Sequence, residues 1–188
     1  MIALRDRHEQ KADLNARFVA KGPFNRVLYV GAKVQGARHP SLLDAVRQVS
    51  RTVECLELYA PNVEALRTRK FFDVVYQGDI REWYPAGALY NGAMRSGFDL
   101  LLWWHGPEHL PFVDAITLLA RLASSRPVPA LAIACPYGLT PQGAVGGNPH
   151  EKHACGLLPE DFERLGFTVS VCGRPNKKGG NILATMGL

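Results

Sequence analysis

Residues 27–36 read Val27-Leu28-Tyr29-Val30-Gly31-Ala32-Lys33-Val34-Gln35-Gly36, and this stretch decides the fold. Four apolar, β-branched or aromatic residues run into a glycine, and a second glycine follows five positions on. Pro40-Ser41 and an apolar pattern at helical spacing (Leu42, Leu43, Val46, Val49) come next. The stretch reads as strand, tight turn, helix. Glycine lets the chain turn sharply and lets a ligand approach the backbone. The unpaired N–H groups and dipole of the following helix favour a negatively charged group there. Two readings stand at this point: a cofactor-binding turn and an ordinary strand-to-helix connection.

Working outward, residues 4–20 read as an amphipathic N-terminal helix stopped by Gly22-Pro23. A first strand (26–30) and its helix (41–50) are followed by an alternating strand, 52–58. Pro61 opens a helix to Lys70, and Phe72-Asp73-Val74-Val75-Tyr76 is a third strand. Residues 84–97, with three glycines and a proline, are expected to be loop around one short helix. Phe98-Asp99-Leu100-Leu101-Leu102-Trp103-Trp104 is a continuous apolar run, the pattern of a central strand covered on both faces. A helix over 108–124 and a strand over 129–135 follow. The glycine-rich segment 136–156 is too long for a plain connector. A short helix (159–165), a strand (167–172) and a last strand (181–186) close the chain, the two strands joined as a hairpin. Strands alternating with helices imply an α/β, doubly wound, mostly parallel sheet, with a C-terminal antiparallel hairpin. One domain over 1–188 is expected, with 1–22 as an N-terminal helix.

Composition narrows the classes. The 188 residues are 47% apolar, with a mean hydropathy of -0.08, which implies a full core and little disorder. The longest apolar runs fall well short of the ~20 residues that span a bilayer, and the charged start does not resemble a secretory signal. Four cysteines (55, 135, 155, 172) form no CxxC pair, which points to a reduced, cytoplasmic setting. A net charge of +5 permits an anionic partner, but the cluster Arg67-Thr68-Arg69-Lys70 also suits the end of a helix.

Ligands of such a sheet bind at the carboxyl ends of its strands. Those ends offer Gly31 to Gly36, then Glu57, Asp79, His105, and Tyr137 with the segment beyond it. Glu57 follows the glycine turn by about twenty residues, where a carboxylate accepts hydrogen bonds from a ribose. Asp79 could accept from an adenine amino group, cap the helix over Ile80-Arg81-Glu82, or do both.

These residues carry a resemblance to the class I S-adenosylmethionine-dependent methyltransferases, over residues 24 to the end. Val27 to Gly31 resembles their first motif, and Gly78-Asp79-Ile80-Arg81-Glu82 their adenine-contacting stretch. Phe98-Asp99-Leu100 with Pro107-Glu108-His109-Leu110 resembles their fourth-strand segment. The resemblance implies a Rossmann-like fold, S-adenosyl-L-methionine as cofactor, and cofactor contacts at Gly31, Ala32, Lys33, Gly36, Glu57, Leu58, Asp79, Ile80 and His105. It departs where Tyr29 replaces an acid and Lys33 a glycine. Lys33 could meet the cofactor's carboxylate or point to solvent.

His105-x-x-Glu108-His109, with His150-x-x-His153 downstream, is similar to the E-x-x-E-H of small-RNA 2′-O-methyltransferases, which bind a divalent metal. His105 replaces the first glutamate. The expectation is a site without metal, in which His109 or His153 is the general base toward a hydroxyl or amine. A zinc set of His150, His153 and Cys155 lacks a fourth ligand. The Asn-Pro-Pro-Tyr of amino-methylating DNA enzymes is absent, and Trp104-His105-Gly106-Pro107 stands in its place. That weakens an exocyclic-amine DNA target; the expectation is an unidentified acceptor, a small molecule or RNA, with no membrane partner. Two alternatives remain: a nicotinamide-dependent oxidoreductase, for which Lys33 crowds the pyrophosphate approach, and a non-catalytic binding protein on a degenerate methyltransferase fold.

Overall fold

Alternation along the strands assigns each residue to one of two cores. Leu28 and Val30, with Leu101 and Trp103, face one layer of helices, whereas Val27, Leu100, Leu102 and Trp104 face the other. The computed structural model describes residues 1–4, 6–32, 40–83, 90–91, 94–95 and 97–188. Its elements in chain order are β1 (Ile2–Leu4), α1 (Arg7–Lys21), β2 (Phe24–Val30), α2 (Pro40–Gln48), β3 (Ser50–Glu57), α3 (Ala60–Arg69), β4 (Val74–Gln77) and α4 (Ile80–Trp83). A two-stranded pair, β5 (Tyr90–Asn91) and β6 (Met94–Arg95), comes next. The rest is β7 (Leu100–Trp104), a 3-10 turn (Pro107–His109), α5 (Phe112–Ser125), β8 (Ala130–Pro136), a second 3-10 turn (Pro149–Glu151), α6 (Pro159–Glu163), β9 (Thr168–Cys172) and β10 (Asn181–Met186).

Eight strands form one sheet in the order β1-β9-β10-β8-β7-β2-β3-β4. All pairs are parallel except those of β10, which runs antiparallel to both β8 and β9. The doubly wound sheet and closing hairpin read from the sequence are therefore present. β7 is buried at every position, as its unbroken apolar run requires. The core under α5 includes Leu119, Leu122 and Phe162, each fully buried, and that under α1 and α2 includes Leu14, Phe18 and Val46. Each such side chain contributes about 1.5–3 kcal/mol.

Three local differences have physical reasons. Residues 2–4 form an edge strand beside β9, so the first helix starts at Arg7, where Asp6 Oδ1 accepts from His8 N and Glu9 N, both at 2.9 Å. The helix expected from 108 starts at Phe112, because Pro111 separates it from the preceding 3-10 turn. Within 84–97 the described residues include the β5–β6 pair, where loop was expected, and the short helix expected in this stretch falls on residues outside the described ones. Among the described residues, no helix is long and apolar enough to cross a membrane.

Candidate active site

The chain's direction across the sheet switches between β2 and β7. The strands lie side by side, Val30 opposite Trp103, yet β2 leads to β3 on one side and β7 to β8 on the other. Loops leaving neighbouring strands in opposite directions open a crevice at their carboxyl ends. Gly31 turns the chain there with φ +71° and donates its N–H to Leu56 O at 2.9 Å. His105 does so with φ +57°, its N–H bonded to Ala134 O at 2.8 Å. Between them opens a cavity of about 440 Å³, lined among others by Tyr29, Gly31, Ala32 and His105. A second glycine permits this corner: a Cβ on Gly106 would lie 1.5 Å from Trp103 Nε1.

Glu108, His109 and His153 line the same cavity. Each can offer one ligand atom such that the three lie within 4.8 Å of one another. The 3-10 turn after β7 supplies the first two. The third arrives across the sheet because Glu108 O accepts from Ala154 N (2.8 Å) and Cys155 N (3.2 Å), which holds the strand of chain carrying His153 against the turn. His109 Nδ1 meets Lys152 O at 3.2 Å and His153 Nδ1 meets Thr140 O at 2.5 Å. A carbonyl can only accept, so each ring donates from Nδ1 and, in its neutral form, presents Nε2 as a lone pair. Orientation of a metal-ligating histidine through its other nitrogen follows the same pattern.

Glu108 is 2% exposed. Its Oε1 lies 3.2 Å from His105 Nδ1 and 4.0 Å from His109 Nε2, while its Oε2 is buried without a hydrogen-bond partner. Burial alone would push this carboxyl up, but the hydrogen bond from His105 and the charges of His105 and His109 hold it below its ordinary value. A buried carboxylate oxygen without a partner is expensive. Two imidazole nitrogens and a carboxylate oxygen are a donor set that fits a divalent transition metal. The alternative zinc set is not assembled: among the described residues the trio above is the one metal-competent group, Cys155 Sγ turns to Pro107 O at 3.7 Å, and His150 packs beside Tyr59.

The other residues singled out in the sequence fall into two groups. Gly31, Ala32, His105, His109 and His153 come together around the cavity. Glu57, Leu58, Asp79 and Ile80 lie beyond it, at the ends of β3 and β4, where Gly78 N donates to Glu57 O at 3.0 Å. Glu57 is buried, its Oε1 accepting from Tyr59 N (2.9 Å) and Asn62 Nδ2 (3.5 Å). Burial raises its pKa, those hydrogen bonds oppose the rise, and the charge of Glu151 adds to it. Asp79 caps α4 through Arg81 N at 2.8 Å and pairs with the Arg81 guanidinium at 2.6 Å. Burial would raise this carboxyl, yet Arg81 holds it low. Ile80 is buried in the core and Leu58 is 37% exposed. Lys33 and Gly36 lie outside the described residues. Arg7, Thr140, Gln142 and Lys178 also line the cavity, and no local pattern in the sequence marks them.

No family model matches the chain, and no curated protein matches it. Solved structures do. The methyltransferase domain of bacterial CtHen1 (CN) aligns with a TM-score of 0.55 at 12% identity, covering 95% of this chain and 97% of that one. An S-adenosylmethionine-dependent methyltransferase from Aquifex aeolicus aligns at 0.52 and 18% identity, covering 93% and 88%. The chain has the class I methyltransferase fold. A further neighbour, described as a putative zinc-dependent alcohol dehydrogenase from Rhodobacter sphaeroides, aligns at 0.58 and 10% identity over 91% and 87%. At such identities, likeness to a methyltransferase or to a dehydrogenase speaks for the fold, and chemistry has to be argued from the site.

Proposed function

We propose that this protein is an S-adenosyl-L-methionine-dependent methyltransferase that methylates a hydroxyl group of a small molecule or RNA. The observation that carries the reading is the placement of Glu108, His109 and His153 on a cavity that also touches the glycine turn after β2. In this reading the turn at Gly31 and Ala32 takes the amino-acid end of the cofactor, and Glu57 and Asp79 take its ribose and adenine. Lys33 and Gly36, outside the described residues, belong to the same proposed set of cofactor contacts. His105 orients Glu108 through its 3.2 Å contact.

Methyl transfer from a sulfonium needs an in-line, deprotonated nucleophile. The acceptor oxygen attacks the methyl carbon, the carbon–sulfur bond breaks, and its electron pair stays on sulfur as S-adenosylhomocysteine. His109 and His153 present Nε2 lone pairs that can take the acceptor's proton. As an alternative to this base role, Glu108, His109 and His153 would hold a divalent cation, which would act as a Lewis acid and lower the pKa of the acceptor hydroxyl. Thr140 and Gln142 also line the cavity, and in this reading they face the acceptor.

Calorimetric titration with S-adenosylmethionine, S-adenosylhomocysteine and NAD tests the reading. Binding of the first two without the third is expected. Binding of NAD alone would support the oxidoreductase alternative, and no binding of any would support the non-catalytic one.

Glu57→Gln is expected to move affinity and stability in opposite senses. The charged acceptor for the ribose is lost, so affinity for S-adenosylhomocysteine should fall about 10- to 100-fold. The native carboxyl binds its proton more tightly than the unfolded one, so its ionisation costs stability as pH rises above the ordinary 4.5. Thermal unfolding at neutral pH should therefore show the variant at least as stable as the wild type. Unchanged affinity would remove Glu57 from the cofactor site.

A further inference from the structure

Two cations line the same cavity from elements that the proposed chemistry leaves unused. Arg7 is the first residue of α1, and Lys178 lies in the turn between β9 and β10. One wall carries both, because Arg7 Nη2 donates to Gly180 O at 3.2 Å and ties the helix to that turn. Among the described residues neither side chain has a carboxylate partner, and Arg7 Nε is buried with no hydrogen bond. Lys11, one helical turn beyond Arg7, holds its ammonium 5.7 Å from the ring of Trp104, itself a lining residue. Burial, and then the charge of Arg7, lower the Lys11 pKa.

Like charges four residues apart on one helix face repel. Gathering them at a concave surface raises the local potential for an anion. Arg174 and Lys177 extend the basic character along the exposed turn. Asp44 and Glu151 line the cavity too, but from α2 and the segment after β8. Acids there suit the ammonium and sulfonium of the cofactor, so the two signs of charge are carried by different elements.

We propose that Arg7 and Lys178 form an anion subsite that binds a phosphate group of the methyl acceptor. The acceptor is then a phosphate-bearing hydroxyl compound, such as a nucleotide or an RNA strand. Arg7 supplies a guanidinium anchored on Gly180 O, and Lys178 a mobile point charge. The word acceptor rests on the methyl-transfer reading, whereas the subsite itself does not.

Inorganic phosphate, titrated into the full chain at low salt without cofactor and followed by calorimetry, tests it. Saturable binding is expected, at least about tenfold weaker in Lys178→Glu. Lys178 is exposed and its replacement leaves the core untouched. Arg51→Glu, an exposed change at the amino end of β3, should bind as the wild type does. Uridine 5′-monophosphate and a short RNA oligonucleotide are titrated in parallel. Dependence on Lys178 in the first points to a free nucleotide, dependence in the second alone to a strand. Absence of phosphate binding, or equal binding by wild type and Lys178→Glu, overturns the subsite. Cofactor binding with no phosphate binding would sink this inference alone, and the converse would sink the methyl-transfer reading alone.

Discussion

Glu108→Gln is expected to cut the affinity for Mn²⁺, Co²⁺ or Zn²⁺ by at least about 100-fold, since even groups that merely orient metal ligands are worth 10- to 100-fold. The variant keeps the shape of the side chain but removes the negative charge that Glu108 brings to the cluster. Calorimetry on the wild type and the variant reads the difference directly. If metal binds equally to both, Glu108 is no ligand. The same substitution should change the response to acid. The native carboxyl is held below its ordinary 4.5, so it contributes stability that is present above that value and lost as pH falls through the lower native one. Part of the wild-type destabilisation in that window should be missing from Glu108→Gln.

Gly106→Ala should be among the most damaging single changes to the fold. The new methyl would fall 1.5 Å from Trp103 Nε1 and 2.3 Å from its Cδ1, and Trp103 is 3% exposed in the core under α5. The indole cannot swing aside without displacing packed neighbours, so a loss of about 3 kcal/mol or more is expected, at the upper end of overpacking effects. Chemical denaturation measures it. Trp103 lies in β7 just before the corner that carries His105 and Glu108, so metal binding should fail together with stability. A variant with wild-type stability would show that the corner between β7 and the 3-10 turn is loosely packed.

Two features of the primary sequence made the element order legible. Period-2 and unbroken apolar runs mark β2, β3, β7 and β8, and residues such as Gly31 and Pro61 punctuate them. Both are local signals, set by which face of each element is covered. β1 escaped notice because three residues are too few to show a period. The start of the helix expected at 108 was drawn too early because residues 107–109 form a separate 3-10 turn, which Pro111 divides from the helix.

The candidate site was legible only as a set of parts. His105, Glu108 and His109 are neighbours in the chain, so their pattern was visible. Whether His150 or His153 joins them was not, because that depends on a hydrogen bond to a carbonyl rather than on a side chain. Ala154 N and Cys155 N reach Glu108 O, and the choice between the two histidines follows from that register.

By itself, the sequence determined the alternation of strands and helices, the buried central strand, and which strand ends carry ionisable residues. These follow from apolar periodicity and from glycine and proline, which act within a few residues. Only the tertiary structure decided that Glu108, His109 and His153 share one cavity wall while Arg7 and Lys178 share another. Such groupings come from backbone hydrogen bonds and sheet order between segments far apart in the chain, and no local pattern encodes them.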